Sequence, residues 1–142
     1  MKKIALVAHD ARKPVMVEWV GRNLDILRHF ELVATGTTGT VLLEHYPELR
    51  LERLASGPRG GDQQVGARIV AGAIDVLFFF IDPLTPMPHD VDVKALLRLS
   101  ILYDVPLACS VRAADIVLDS VRKAHAATTQ QQHAPAKSHT SG

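Results

Sequence analysis

Histidines that precede aspartates, and aspartates at glycine-rich or apolar boundaries, are the residues of this chain that could do acid–base chemistry. His9 precedes Asp10, His89 also precedes an aspartate, Asp62 follows two glycines, and Asp82 directly ends an apolar run. An imidazole is easily held as a neutral donor or acid near pH 7, and a carboxylate can accept a proton as a general base. Taken singly, each has a plainer interpretation as a surface histidine or a helix-capping aspartate, so the prediction depends on the fold bringing them together.

Small hydroxyl residues around glycines are the second chemical feature. Residues 35–39 place Thr35, Thr37 and Thr38 around two glycines, an arrangement that offers hydroxyls, close backbone approach and helix-start N–H groups to a phosphate. The stretch lacks the lysine of a P-loop and the G-x-G-x-x-G spacing of a dinucleotide fold, so it does not predict a nucleotide site. A turn followed by a threonine helix cap explains it equally well.

The composition excludes several classes of protein. The chain has 142 residues with 47% apolar side chains and a formal charge of +1, which indicates one domain and no field to attract nucleic acid or an anionic membrane. The longest apolar run, at 76–81, is far shorter than the roughly 20 residues of a membrane span, and the amino terminus is not a signal peptide. We therefore expect a cytoplasmic protein. The single cysteine, Cys109, excludes an internal disulfide and a multi-cysteine zinc site, and the spacing of His9 and His89 predicts no metal site.

Short apolar runs alternate with segments of helical period, a pattern typical of an α/β fold. The sequence predicts one open, mainly parallel five-stranded sheet of Rossmann-like type, with helices on both faces. The predicted strands are 3–8, 31–34, 51–55, 75–81 and 106–110, the fourth of them central because it is apolar on both faces. The predicted helices are 14–30, 38–45, 61–71, 91–104 and 111–126. Residues 1–126 form the predicted domain, and the Gln- and Thr-rich residues 127–142 are predicted to be a disordered tail.

The loops after the predicted strands contain most of the polar and glycine-rich residues of the chain. The carboxyl ends of parallel strands meet at one edge of a sheet, and that edge is where ligands bind in open α/β folds. His9 and Asp10 follow the first strand, Thr35 follows the second, and Asp62 and Asp82 follow the third and fourth. This convergence predicts one functional site at that edge.

At these loops the sequence resembles the methylglyoxal synthases. The resemblance rests on residues 7–10 (VAHD) with Lys13, 34–39 (ATGTTG), 56–66 (SGPRGGDQQVG), 79–84 (FFIDPL) and 88–96 (PHDVDVKAL), and it runs from about residue 3 to about residue 120. It implies a carbon–oxygen lyase that converts dihydroxyacetone phosphate into methylglyoxal and inorganic phosphate. It also implies that no metal or organic cofactor takes part, that phosphate is both product and possible inhibitor, and that the enzyme is a homohexamer.

The resemblance also implies a role for each matched residue. Asp62 would be the base that removes a proton from the carbon next to the carbonyl, and His89 the electrophile that polarises that carbonyl. Asp92 would support them in catalysis. The remaining matched positions would bind the substrate, several of them by its phosphate: His9, Asp10, Lys13, Thr35, Thr37, Thr38, Ser56, Gly57 and Asp82.

One departure from the family leaves part of the site unassigned. Many methylglyoxal synthases continue after the last helix with an arginine that reaches a neighbouring subunit, and here only Arg112 and Arg122 stand near that place, neither in a matching motif. A non-catalytic anion-binding module of the same fold, as in carbamoyl phosphate synthetase, is the alternative function. An isomerase of triose phosphates is a third. The presence of Asp62, His89 and Asp92 together favours an enzyme over the binding module, and release of phosphate with methylglyoxal would separate the lyase from the isomerase.

Overall fold

A β-sheet forms the frame of the structure. The structure is a computed structural model that describes residues 3–85 and 90–132. Five strands pair in the order β3-β2-β1-β4-β5, and every pair is parallel. The strands are β1 (Lys3–Ala8), β2 (Glu31–Ala34), β3 (Leu51–Arg53), β4 (Val76–Phe80) and β5 (Leu107–Ala108). The predicted α/β class and five-stranded sheet are therefore confirmed, with edge strands two to three residues shorter than predicted.

The middle of the sheet is β1, and β4 lies directly beside it. Ile4 to Ala8 pair with Val76 to Phe80 on one side, and β2 pairs with β1 on the other. Both strands are buried on both faces because successive side chains point to opposite sides of the sheet. Phe78 and Phe80 belong to one hydrophobic cluster, Leu77 and Phe79 to the other. As predicted, β4 is an interior strand that is buried on both faces. The middle strand of the sheet, however, is β1.

Helices cover the two faces unequally. They are α1 (Lys13–Arg22), α2 (Leu24–Leu27), α3 (Gly36–His45), α4 (Gly61–Val70), α5 (Asp90–Leu102) and α6 (Val111–Gln132). The first cluster contains side chains of α1, α2, α3 and α6, and the second contains those of α4 and α5. No helix among the described residues is long and apolar enough to cross a membrane.

The prediction of one helix over residues 14–30 is wrong, because the helix breaks at Asn23. The Nδ2 group of Asn23 donates to the carbonyl of Trp19 at 2.8 Å, and the backbone there leaves the helical region, with φ −119° and ψ 20°. Asparagine competes in this way with helical backbone bonds. The apolar periodicity continues through the break, so periodicity alone did not reveal it.

The prediction of a helix that ends at residue 126 with disorder from residue 127 is also wrong for residues 127–132. Helix α6 continues to Gln132, and Thr128 donates its hydroxyl to the carbonyl of Ala124 at 3.0 Å. Alanine and glutamine are good helix formers, and extending an existing helix adds one hydrogen bond per residue without a new nucleation step. The rest of the predicted tail, 133–142, lies outside the described residues.

Two polar contacts attach α6 to the start of the chain. The indole Nε1 of Trp19, which is fully buried, donates to Asp115 Oδ1 at 2.9 Å. Two helical turns further on, Arg122 donates both Nη groups to the Asp25 carboxylate, at 2.7 and 3.1 Å, and also reaches Asn23. This ion pair lowers the pKa of Asp25. Because it engages the guanidinium of Arg122 within its own chain, Arg122 is a poor candidate for a residue that reaches another subunit.

Replacing Asp115 by alanine should destabilise the fold by about 1–2 kcal/mol, because the buried indole N–H loses an ionised acceptor. Urea unfolding monitored by Trp19 fluorescence would measure the change, with an unchanged denaturant slope as evidence that only stability differs. Asp115→Asn is the matched control, since its amide oxygen keeps an acceptor in place. Equal losses in the two variants would show that the hydrogen bond contributes nothing and that packing of α6 dominates.

Candidate active site

A cavity of about 250 Å³ opens at the carboxyl ends of β1 and β4, where the strand order reverses direction along the chain. This switch point is the usual ligand position in an open parallel sheet. Loops after four strands line the cavity, with the residues Val7, Ala8, His9, Asp10, Ala11, Lys13, Thr35, Thr37, Gly57, Pro58, Asp62, Asp82 and Thr85. The predicted convergence of these loops at one edge is what the structure shows.

The imidazole of His9 is held in one tautomer. The backbone N–H of Asp82 donates to His9 Nδ1 at 2.9 Å, and the ring packs edge-on against Phe79. An Nδ1 that accepts a hydrogen bond carries no proton, so a neutral His9 carries its proton on Nε2. His9 is 7% exposed and lines the cavity, so it offers the site an N–H donor with a fixed orientation.

Lys13 brings a positive charge to the cavity. It is the first residue of α1, and its ammonium donates to the carbonyl of Ala8 at 3.0 Å and to Asp10 Oδ1 at 2.7 Å. The Lys13 side chain is only 15% exposed, whereas that of Asp10 is 96% exposed. An exposed ion pair of this kind contributes little to stability, so its effect is to fix where the ammonium lies.

Asp82 shapes the turn after β4. Its Oδ1 accepts the backbone N–H of Leu84 at 3.0 Å, which closes a local turn. A hydrogen bond from the Thr85 side chain, aided by the Leu84 N–H, holds the pKa of Asp82 below its ordinary value. The carboxylate is therefore ionised at neutral pH. Thr85 also lines the cavity, although the sequence analysis did not select it.

The threonines after β2 differ in what their hydroxyls do. Thr35 occupies the N-cap position of α3, but its side chain makes no capping hydrogen bond, and both Thr35 and Thr37 line the cavity. Thr38 is buried behind them and donates to the carbonyl of Ala8 at 3.3 Å, which ties α3 to β1. Two of the three predicted hydroxyls thus lie at the cavity, while the Thr38 hydroxyl bonds to β1.

The loop before α4 needs glycine at its end because the backbone there lies very close to the backbone after β3. A Cβ on Gly61 would lie 2.1 Å from the carbonyl oxygen of Ala55, so no other residue fits without moving the loop. Gly60 has φ +103°, a conformation that other residues rarely adopt. These two glycines let α4 begin directly against the end of β3. Gly57 and Pro58 of the same loop line the cavity.

Asp62 is the second residue of α4 and is 3% exposed at the cavity wall. The positive end of the α4 dipole stabilises negative charge at this position. The two glutamines that follow hold its surroundings in place: Gln64 Oε1 accepts the N–H of Ala55 at 2.7 Å, and Gln63 Nε2 donates to Asp92 Oδ1 at 2.6 Å. The sequence analysis did not assign these glutamines a role, although their position after Asp62 was the available signal.

Three of the other predicted site residues have different outcomes. Asp92 lies on α5 with Gln63 as a partner and does not line the cavity among the described residues. Ser56 lines an adjoining groove, together with Thr37. His89 lies outside the described residues, immediately before the first residue of α5. In the parts of the chain that the structure describes, no three histidine, cysteine or acidic side chains form a metal-binding group.

Comparison with known proteins gives one consistent family. The sequence model of the MGS-like domain family matches residues 15–109. The methylglyoxal synthase of Rhizobium rhizogenes is 56% identical over 120 residues, which cover 84% of this chain and 95% of that protein. The methylglyoxal synthase of Brucella anthropi is 50% identical over 119 residues, with the same two shares of 84% and 95%.

A solved structure agrees with these relatives. The crystal structure of methylglyoxal synthase from Elizabethkingia anophelis superposes with a TM-score of 0.78 at 45% identity, covering 82% of this chain and 76% of that one. The shared fold, the length of the matches and the level of identity lead to one conclusion. The chain belongs to the methylglyoxal synthase family of lyases.

Proposed function

We propose that this chain converts dihydroxyacetone phosphate into methylglyoxal and inorganic phosphate, as a carbon–oxygen lyase without a metal or organic cofactor. The observation that carries the proposal is the buried carboxylate of Asp62 at a cavity that also presents the ammonium of Lys13 and the hydroxyls of Thr35 and Thr37. A base and a phosphate cradle in one cavity of about 250 Å³ suit a small phosphorylated ketone.

The first step needs a base that removes a proton from carbon and, at the same time, a hydrogen-bond donor to the oxygen that becomes negatively charged. Asp62 takes a proton from the hydroxymethyl carbon, and the electron pair of that C–H bond forms the enediolate. His9 offers its Nε2–H to an enediolate oxygen, and His89 polarises the carbonyl in the role that the family resemblance implies. The enediolate then expels phosphate from the other carbon. The enol that remains takes up a proton on its methylene carbon and releases its hydroxyl proton, which gives methylglyoxal.

The phosphate end of the site decides between elimination and isomerisation. Elimination is fast only when the breaking C–O bond stands roughly perpendicular to the enediolate plane and overlaps its π system. Thr35, Thr37, Gly57 and Lys13 surround the cavity with short side chains and one cation, which can fix a phosphate in a single orientation. An isomerase would instead have to keep that bond in the plane.

The regulatory-module alternative is less well supported than the lyase. The chain is 56% identical to the Rhizobium rhizogenes synthase and covers 95% of that protein's length, which supports the lyase. Assembly into an oligomer, a hexamer by the family resemblance, is part of the proposal. It is supported by large apolar side chains exposed on α5 and α6, among them Ile101 at 77%, Leu102 at 67% and Ile116 at 66%.

Asp62→Asn should leave the fold intact and lower kcat by about 10²- to 10⁴-fold, because the amide is nearly isosteric but cannot accept the proton. A coupled assay that follows methylglyoxal and released phosphate measures the loss. Asp119→Asn, which changes the same charge on the exposed face of α6, is the matched control and should retain full activity. Activity of the Asp62 variant within about threefold of wild type, about 0.65 kcal/mol of barrier, would move the base assignment to Asp92.

A crystal soaked in inorganic phosphate should show the anion in contact with Lys13, Thr35 and Thr37, with Ser56 and Gly57 completing its shell. The reason is that hydroxyls, a cation and helix-start N–H groups converge there. The soak should be repeated with the Thr35→Val variant, which keeps the shape and removes one donor. Phosphate bound elsewhere, with these hydroxyls without a ligand, would contradict the cradle.

A bound enediolate analogue should hold its phosphate-bearing C–O bond roughly perpendicular to the plane of the enediolate. The expectation follows from orbital overlap in the elimination step, and a crystal structure of the complex measures the torsion directly. An angle within about 30° of the plane, beyond the usual spread of one staggered well, would mean that positioning does not account for elimination. Detection of glyceraldehyde phosphate in place of methylglyoxal would point the same way.

A further inference from the structure

The charge of the cavity wall is unfavourable for a phosphate. Its described lining contains one lysine and three aspartates, Asp10, Asp62 and Asp82. The Nδ1 atom of His9 accepts the Asp82 N–H, which marks a neutral imidazole. The Lys13 ammonium is moreover in contact with Asp10 at 2.7 Å. A phosphate monoester carries close to two negative charges at neutral pH. The site therefore needs a further cation near its phosphate end if it is to bind such a substrate well.

An open groove of about 410 Å³ adjoins this end of the cavity. Gly36, Thr37, Thr40, Arg53, Leu54 and Ser56 line it, and Thr37 lines the cavity as well. The groove thus contains two of the predicted phosphate ligands, Thr37 and Ser56, together with one arginine. The arginine is the last residue of the edge strand β3.

Arg53 is held against the first turns of α3. A Cβ on Gly39 would lie 2.6 Å from Arg53 Cγ, so the glycine makes room for the arginine stem. At the far end of the side chain, Nη1 donates to Thr40 Oγ1 at 2.9 Å, and that hydroxyl in turn donates to the carbonyl of Gly36 at 3.0 Å. The guanidinium is therefore positioned over the helix start by two features of α3, a missing side chain and a hydroxyl.

The partner of Arg53 is neutral, which distinguishes it from Arg68 and Arg122. Arg68 and Arg122 each bind a carboxylate through two nitrogens, Glu52 and Asp25 respectively. Within the described ranges, Arg53 makes no ion pair, and a hydroxyl does not offset its charge. An arginine fork has several N–H donors, so those beyond the one on Thr40 remain suited to a phosphate oxygen.

We infer that Arg53 is a phosphate-binding residue of this site and supplies the positive charge that the acidic cavity wall lacks. The inference rests on the proposed function for the identity of the substrate, but not for the identity of the group that is bound. Arg53 acts on phosphate affinity, since its charge meets the same group in the bound substrate and in the transition state. It is not required for proton abstraction at Asp62.

Binding of inorganic phosphate to the full chain, measured by calorimetric titration, tests the inference without relying on turnover. Arg53→Gln should raise the phosphate Kd about tenfold, the scale of one charge-assisted hydrogen bond. Arg53→Lys should raise it less, because it keeps the charge and loses the fork. Arg50→Gln is the matched control, three residues earlier, about 10 Å along the strand and therefore beyond a Debye length of about 8 Å. It should change Kd less than twofold, and equal effects at the two positions would overturn the inference.

Thr40→Val separates a binding role from a structural one. It keeps the side-chain shape and removes the hydroxyl that holds Arg53. It should weaken phosphate binding by a smaller factor in the wild-type background and have no further effect in Arg53→Gln. Equal losses in both backgrounds would show that Thr40 acts independently of Arg53, and a fall in melting temperature that tracks the loss of binding would show that Arg53 acts on the fold; either result would overturn the inference.

Steady-state kinetics then connect the residue to the reaction. With dihydroxyacetone phosphate, Arg53→Gln should raise KM by about the same factor as the phosphate Kd and leave kcat within about twofold. A fall in kcat with unchanged KM would overturn the inference while leaving the lyase assignment intact. If the wild type formed no methylglyoxal, the proposed function would fail, and the phosphate titration would still decide the role of Arg53.

Discussion

The pairing of β1 with a parallel strand on each side determines where every chemical group of this site lies. Parallel strands place their carboxyl ends at one edge, and the chain leaves β1 toward β2 and β3 before returning to β4 on the other side. The cavity lies at this edge, between the loops that follow β1 and β4. The backbone bond from His9 N–H to the Phe80 carbonyl, at 3.1 Å, extends the β1–β4 pairing into it. The imidazole of His9 is thereby placed by the sheet itself.

Close backbone contacts around the sheet fix the position of the loop that leads into α4. Asp62, the base that we propose, is fixed because α4 starts against the carbonyl of Ala55, which only a glycine at position 61 permits. Gln64 binds the N–H of the same Ala55, so the loop is held at both ends of one peptide. A side chain on such a helix start loses little freedom when substrate binds. This rigidity is what positioning of a general base requires.

The sequence predicted the parts of the structure that depend on local patterns. The five strands and the loops after the first four of them follow from apolar runs and glycine clusters, and so does the joint position of His9, Lys13, Thr35, Asp62 and Asp82 at one edge. The break at Asn23 was missed because it depends on a side-chain bond inside an otherwise regular helix. The sequence does not predict the continuation of α6 because a polar composition is also typical of disorder, although glutamine and alanine extend a helix readily.

The sequence does not predict which of two neighbouring residues in one motif reaches the cavity. Thr37 and Thr38 look alike in the sequence, yet their helical offset of one residue sends Thr37 to the cavity and Thr38 to the Ala8 carbonyl. Arg53 has no motif at all, since only the contact of β3 with α3 brings it to the groove beside Ser56. Residues that act through tertiary contacts between distant elements cannot be found from spacing along the chain.

The electrostatic arrangement suits two opposing demands of the proposed chemistry. Removal of a proton from carbon needs an ionised carboxylate, while a phosphorylated substrate is repelled by one. Two of the three cavity aspartates are tied to local donors, Asp82 to the Leu84 N–H and the Thr85 side chain, and Asp10 to Lys13. Their charges are thus partly balanced by groups that hold the loops in shape. Asp62 owes its position to the start of α4, where the helix dipole favours negative charge, and the cations that we propose for the phosphate, Lys13 and Arg53, lie on other elements of the fold.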